Sequence, residues 1–213
     1  MEDVKKKPKF TSEQAEQIAA QMFAIYGSAS TLPSERDQNF LIETPGGDYV
    51  LKIANPDTPL AVLELENQAI RIAHAIDDFE SPQVVKSVDN LSIIPLTEAG
   101  HPWHVRCLTY LPGTPLASFP KHTPTLLTEL GRCLGLLDRQ LGALDQNHVA
   151  QRPHRWDLAR GPEAVKQAIQ STQQTDRQDL LLYFLSLYES IAPRLQGLKQ
   201  SVIHNDANNY NII

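Results

Sequence analysis

Cysteine is scarce in this 213-residue chain, and long apolar runs are missing altogether. The two cysteines, Cys107 and Cys133, are widely separated and lie in apolar contexts with no His or Cys at metal-ligand spacing. A disulfide scaffold and a zinc site are therefore both excluded, and two reduced, buried thiols suit a cytoplasmic protein. No stretch is long enough to span a bilayer. The opening MEDVKKKPK is charged with no apolar core behind it, so it is not a secretory signal, and residues 1–10 read as a flexible lead-in. A net charge of −6 with a pI near 5.6 argues against nucleic-acid binding as the main task. Neither repeats nor low-complexity tracts occur, and 41% hydrophobic with 21% charged residues is ordinary globular usage.

The most informative string is VIHNDANNYNII, residues 202–213, which places His204, Asp206 and Asn211 directly after an apolar run. This HxDxxxxN spacing has the form of a kinase catalytic loop. Phosphoryl transfer asks a protein for positioning and charge stabilisation more than for covalent chemistry. In that pattern Asp206 accepts the proton of an attacking hydroxyl and Asn211 is the metal ligand, holding Mg2+ against the phosphates. An Asn-rich surface turn after a buried strand is the structural alternative, since Asn and Asp favour turns on their own account.

Such a loop calls for an upstream strand lysine that reaches the nucleotide phosphates and a following helix with a glutamate to orient it. Residues 40–54, FLIETPGGDYVLKIA, read as a hairpin turned at Gly46 and Gly47, with Lys52 near the end of its second strand. The next helix is expected over residues 59–76, with Asp57 or Thr58 as cap and Pro59 in the tolerated first turn. Val62, Leu65, Ala69, Ile72 and Ile76 define its buried stripe. At 100° per residue Glu66 falls beside Val62, Ala69 and Ala73 on that face, and Glu64 points nearly the opposite way. A carboxylate on the inward face needs a partner, so a Lys52–Glu66 ion pair is expected, with Glu64 as the alternative if the helix is rotated.

The order of hairpin, lysine strand, glutamate helix, linker, helices and HxDxxxxN resembles the aminoglycoside phosphotransferase and choline kinase-like family, and within it the hydroxylysine kinase-like branch, whose kinase domain is also found fused to class III aminotransferases. LPSERDQNFLIET, residues 32–44, is similar to that branch's nucleotide-loop region, and residues 202–213 are similar to its catalytic loop. LTYLPGTPL, residues 108–116, resembles the linker between lobes, which implies adenine contacts from the backbone of Thr109, Tyr110 and Leu111. RWDLARG, residues 155–161, resembles an element with Trp156 and Asp157 that locks the helices of the lower lobe. The resemblance gives His204 an architectural role, bracing the loop backbone. It implies an α+β, protein kinase-like two-lobed fold: an N-terminal lobe over residues 11–112 with an antiparallel sheet plus helices, and a mainly helical, incomplete C-terminal lobe over 113–213. ATP and Mg2+ are the implied cofactors, and a small hydroxylated amine or amino acid the implied substrate.

The chain departs from the pattern in two places. No GxGxxG string covers the phosphates; SERDQN, residues 34–39, stands there, with Ser34, Arg36 and Asn39 as candidate ligands and backbone amides to assist. No IDFGD-like element follows the catalytic loop, so a second metal-binding aspartate is missing and the chain reads as the first part of a longer kinase domain, inactive by itself. A kinase-like, non-catalytic binding module or pseudokinase fragment is the alternative function.

The remaining segments read as an opening helix over 11–26 capped at Thr11 or Ser12, strands around 92–95 and 103–110, and a lobe boundary at Pro112 and Gly113. A long helix is expected over 123–144, with Leu126, Leu127, Leu130, Leu134, Leu137 and Leu141 as its buried stripe. A connector follows over 151–161, with helices over 162–170 and 176–195. Oligomeric state, acceptor identity and the choice between ATP and GTP are not encoded in these patterns.

Overall fold

A computed structural model describes residues 7–144, 160–195 and 197–213. Helix α1 (Ser12–Phe23) leads into strands β1 (Ser28–Leu32), β2 (Gln38–Glu43) and β3 (Tyr49–Ile53), then α2 (Leu60–His74), β4 (Val84–Val85), β5 (Ile94–Glu98) and β6 (His101–Thr109). A short 3-10 turn at Leu116–Ser118 precedes α3 (Pro124–Leu141), and α4 (Gly161–Ser171) and α5 (Thr175–Leu195) complete the described helices. The chain is α+β, as read from sequence. It forms two compact units, one running to Leu144 and including Val202–Ile213, the other Asp145–Ser201.

In the first unit the strands make one antiparallel sheet in the order β1-β2-β3-β6-β4, with β5 also paired to β6. Because successive side chains alternate between faces, each strand contributes to two environments. Phe40, Ile42, Leu51, Ile53, Val105 and Cys107 point to one face, where Ala15, Ile18, Ala19 and Phe23 of α1 seal them into the main core. Burial drives the Cys107 thiol up to about 12, so it is an inert core side chain. The residues between them, Asn39, Lys52 and Arg106, stand on the opposite face in direct register across β2, β3 and β6.

Local chemistry explains most boundaries. Thr11 and Gln14 form a reciprocal capping box at the start of α1. The segment before it, read as flexible to residue 10, is anchored at its end: Phe10 is buried, and the Gln38 side chain binds both its N–H and its carbonyl. Gly47, with φ +123°, turns the β2–β3 hairpin. Strands β1 and β4 were not expected. β1 is a polar edge strand without alternating burial and β4 is two residues long, so neither carries a period-2 signal.

Three details of the helices differ from expectation. The cap of α2 is Pro59 itself, with no side-chain hydrogen bond; Asn55 shapes the entry by accepting the Asp57 N–H through Oδ1 at 3.0 Å and the Thr58 N–H through its carbonyl at 2.9 Å. Secondly, α2 is apolar on two sides. Val62, Leu63 and Asn67 are buried, whereas Leu65, Ala69, Ile72, Ala73 and Ile76 pack on Leu137, Leu141 and Leu144 at the end of α3. The expected stripe, which joined Val62 to the second group, mixed the two faces and so turned Glu66 inward, whereas the Glu66 side chain is 46% exposed. Thirdly, the leucine stripe of α3 is buried only at Leu137 and Leu141, with Leu126 and Leu127 exposed. Periodicity identifies a face that can be buried and carries no information on whether a neighbour covers it.

In the second unit α4 and α5 pair, with Lys166 and Glu189 3.2 Å apart, and Leu185 is the buried residue of α5 while Leu180, Tyr183, Phe184, Leu187 and Ile191 are exposed. Trp156 and Asp157 lie outside the described residues. Among the described residues no helix is long and apolar enough to cross a membrane.

The burial pattern yields a direct contrast. Leu51→Ala, at a fully buried site, is expected to cost about 2–5 kcal/mol. Leu127→Ala, 49% exposed in the stripe once expected to be core, is expected to cost no more than about 0.5 kcal/mol. Urea denaturation of the two variants checks this; equal losses would contradict the arrangement.

Candidate nucleotide and phosphotransfer site

The polar face of the sheet supplies the first half of the site. Lys52 is half-buried on β3, and its Nζ donates to Asn39 Oδ1 at 3.2 Å. Its pKa is lowered, first by burial and then by the Arg106 charge on the adjacent strand, with Asp37 and Glu66 opposing the shift. The expected Lys52–Glu66 ion pair is not formed. Glu66 Oε2 instead accepts from Arg106 Nη2 at 2.5 Å, because α2 turns the carboxylate toward β6. Glu64, the alternative, is exposed.

Arg106 itself was missed in the sequence reading. It is 1% exposed, and besides Glu66 it donates through Nη1 to Asn67 Oδ1 at 3.1 Å and to the Leu63 carbonyl at 3.4 Å. The one available signal was the strand alternation itself, which puts Arg106 on the same face as Lys52 in VRCLTYL.

The loop before β2 is built around Asp37 and Asn55. Asp37 Oδ1 accepts the Asn55 N–H at 2.9 Å, and the fully buried Asn55 side chain reaches the Arg36 carbonyl at 3.5 Å. Ser34, expected as a phosphate ligand, turns its hydroxyl inward to the Asp37 carbonyl at 2.5 Å, and Lys7 donates to the Ser34 carbonyl. Asn39 is beside Lys52, so of the loop candidates it is the one whose side chain is brought to the lysine.

At the linker, Thr109 exchanges contacts with Gln83: its N–H donates to the Gln83 carbonyl at 3.0 Å and its hydroxyl accepts the Gln83 N–H at 2.8 Å. Tyr110 gives its N–H to the Asp48 carbonyl at 2.8 Å. Two of the three linker amides are thus committed to the sheet, and among the described residues the Leu111 amide makes no hydrogen bond.

The catalytic loop belongs to the same unit. It docks on the 3-10 turn, where Leu116 N–H donates to Ile212 O at 2.8 Å and Ala117 N–H to Asn209 O at 2.9 Å. Gly113 permits the approach, since a Cβ there would lie 2.1 Å from Ile213 Cγ2. Asp206 is exposed, and both its oxygens are held: Asn208 Nδ2 reaches Oδ1 at 2.7 Å, and Asn211 Nδ2 reaches Oδ2 and the Asp206 carbonyl at 2.8 Å each. His204 Nδ1 accepts the Asp206 N–H at 3.3 Å, the bracing role implied for it. With its amide nitrogen bound to Asp206, Asn211 keeps its carbonyl oxygen as an acceptor. Oxygen donors of this kind fit a hard divalent cation that completes its shell with phosphate and water. Among the described residues no group of three or more His, Cys, Asp or Glu side chains is placed to hold a metal by itself.

A family model described as "Phosphotransferase enzyme family" matches residues 28–213. The chain belongs to this phosphotransferase family. The matched span takes in the loop, Lys52, α2, the linker and the catalytic loop together. Curated relatives include hydroxylysine kinases of Xenopus laevis and Mus musculus, each 28% identical over 97% of this chain and 59% of the relative, so the chain spans well under two thirds of their length. Among solved structures, an amicoumacin kinase in complex with AMP-PNP and Ca2+ aligns over 90% of this chain and 55% of its own at a TM-score of 0.60 and 16% identity. A spectinomycin phosphotransferase in complex with ADP and spectinomycin aligns over 96% and 65% at a TM-score of 0.59 and 12% identity. At these identities the likeness is one of fold.

Asn55 couples the loop to the strand that carries Lys52. Asn55→Ala removes its side-chain bonds to Asp57 and Arg36 at a buried position and is expected to lower stability by about 1–3 kcal/mol. Chemical denaturation measures this; a loss below about 0.3 kcal/mol would show that the loop does not depend on it.

Proposed function

We propose that this chain is the nucleotide-binding and catalytic-loop portion of an ATP-dependent small-molecule kinase, which phosphorylates a hydroxyl of an amino alcohol or hydroxy amino acid such as a hydroxylysine-like substrate. The observation that carries the reading is the Asp206 carboxylate held by Asn208 and Asn211 in a loop docked within the unit that contains Lys52. Family membership and the hydroxylysine kinase relatives favour the same chemistry.

The residues divide the work. Lys52, seated beside neutral Asn39, neutralises phosphate charge, and the Leu111 amide is the linker donor for adenine. Asp206 accepts the proton of the substrate hydroxyl as its oxygen bonds to the γ-phosphorus and the bond from that phosphorus to the β-phosphate oxygen breaks, releasing ADP. Asn211, through its carbonyl oxygen, is the protein ligand for Mg2+, which when bound offsets charge on the phosphates. The nucleotide lobe is assigned to residues 11–112 and the partial helical lobe to 113–213. Location in the cytoplasm is proposed on cysteine usage alone.

A non-catalytic nucleotide-binding module is a second reading, favoured by the lack of a ready-made acidic metal cluster among the described residues. Calorimetric titration with MgATP tests the common part. Saturable binding is expected, weakened about 10- to 100-fold by Lys52→Ala, a loss typical of a hydrogen bond to a charged group. Absence of binding by a cooperatively folding chain would overturn the proposal. ADP release on adding hydroxylysine, abolished by Asp206→Ala while MgATP affinity is kept, would select the kinase over the module.

A further inference from the structure

We propose that Arg106 is a positioning residue of this site: it anchors the α2 carboxylate Glu66 on β6 and thereby leaves the Lys52 ammonium to the phosphates of the nucleotide. This rests on the phosphotransferase reading above and goes beyond it by assigning the glutamate to a different cation. Lys52 and Arg106 are direct cross-strand neighbours, an arrangement that is unfavourable for two like charges unless an anion stands beside them. Glu66 is that anion, and it closes on the arginine at 2.5 Å.

The geometry explains why the arginine wins the carboxylate. Its guanidinium is fully buried, and Asn67 and the Leu63 carbonyl fix two of its donor positions on the same helix. A planar fork held this way presents Nη2 to Glu66 in one orientation, whereas the lysine is a flexible point charge. A buried guanidinium stripped of its carboxylate is strongly penalised, and Arg106 Nε already lacks a hydrogen-bond partner, so the network has little tolerance for losing Glu66. Lys52 Nζ bonds the neutral Asn39, and Asp37 and Glu66 act on it through space.

The charged groups facing Lys52 are Arg106 from β6, Glu66 from α2 and Asp37 from the loop before β2, with Asn39 beside it on β2. Burial first, and then the Arg106 charge, make the ammonium easier to deprotonate, and a bound phosphate opposes this. Nucleotide affinity therefore falls at alkaline pH as Lys52 loses its proton. Replacing Arg106 by a neutral residue removes the repulsion and frees Glu66 to approach Lys52, which moves that alkaline limb to higher pH.

Two measurements on the purified chain decide the matter. In thermal unfolding, the Tm loss caused by Glu66→Gln is expected to be largely retained in a Lys52→Met background, where only the through-space attraction of Glu66 to Lys52 is removed, and to fall almost to nothing in an Arg106→Met background. Coupling of Glu66 to Lys52 in place of Arg106 would overturn the proposal, and the Glu66/Lys52 half of the cycle decides it even if Arg106→Met fails to fold. In MgATP titrations across alkaline pH, Arg106→Met is expected to shift the loss of affinity upward, and Arg106→Lys to return it toward the parent. An unmoved limb would reduce Arg106 to a structural role. A parent chain that folds but binds no MgATP would refute the underlying reading, an outcome separate from a failed cycle.

Discussion

A buried guanidinium on β6 organises the functional face of this protein. Arg106 cannot be solvated where it sits, so its donors must find oxygens in α2, and in doing so they fix the helix against the sheet. The helix position then sets where Glu66 can reach, and the register of β3 against β6 sets Lys52 beside it. The opposite face of the same strands carries the apolar core sealed by α1, which holds the register in place, since a one-residue slip would exchange the two faces.

The second half of the site is assembled by short polar side chains. Asn208 and Asn211 close on Asp206, and the loop's carbonyls accept the Leu116 and Ala117 amides. The two amides orient the carboxylate, an arrangement that agrees with the proton-accepting role proposed for it. On the sheet side Asn55 and Asp37 perform the equivalent task for the loop before β2. Amides and backbone groups thus set geometry in both halves.

Much of this was legible in the sequence because it depends on local pattern. The hairpin with Lys52, the helices and the HxDxxxxN loop each carry their own periodicity or spacing. The Glu66 partner was not legible, because it depends on a rotation of α2 that follows from burying Asn67 and Leu63 against a strand forty residues away. The hydrogen bond of Ser34 was not legible for a related reason: a serine in a polar loop reads as an available ligand, and only the folded loop shows its hydroxyl donating to the Asp37 carbonyl. The α3 leucines show the same limit, since a stripe marks apolar potential and tertiary contact decides which part is used.

The account turns on which cation holds Glu66 once nucleotide is present. A crystal structure of the protein with Mg2+ and AMP-PNP answers this directly. The account predicts Lys52 Nζ on a phosphate oxygen with Glu66 still on Arg106; a Glu66 carboxylate transferred to Lys52, with the Arg106 guanidinium left to Asn67 and Leu63, would contradict it.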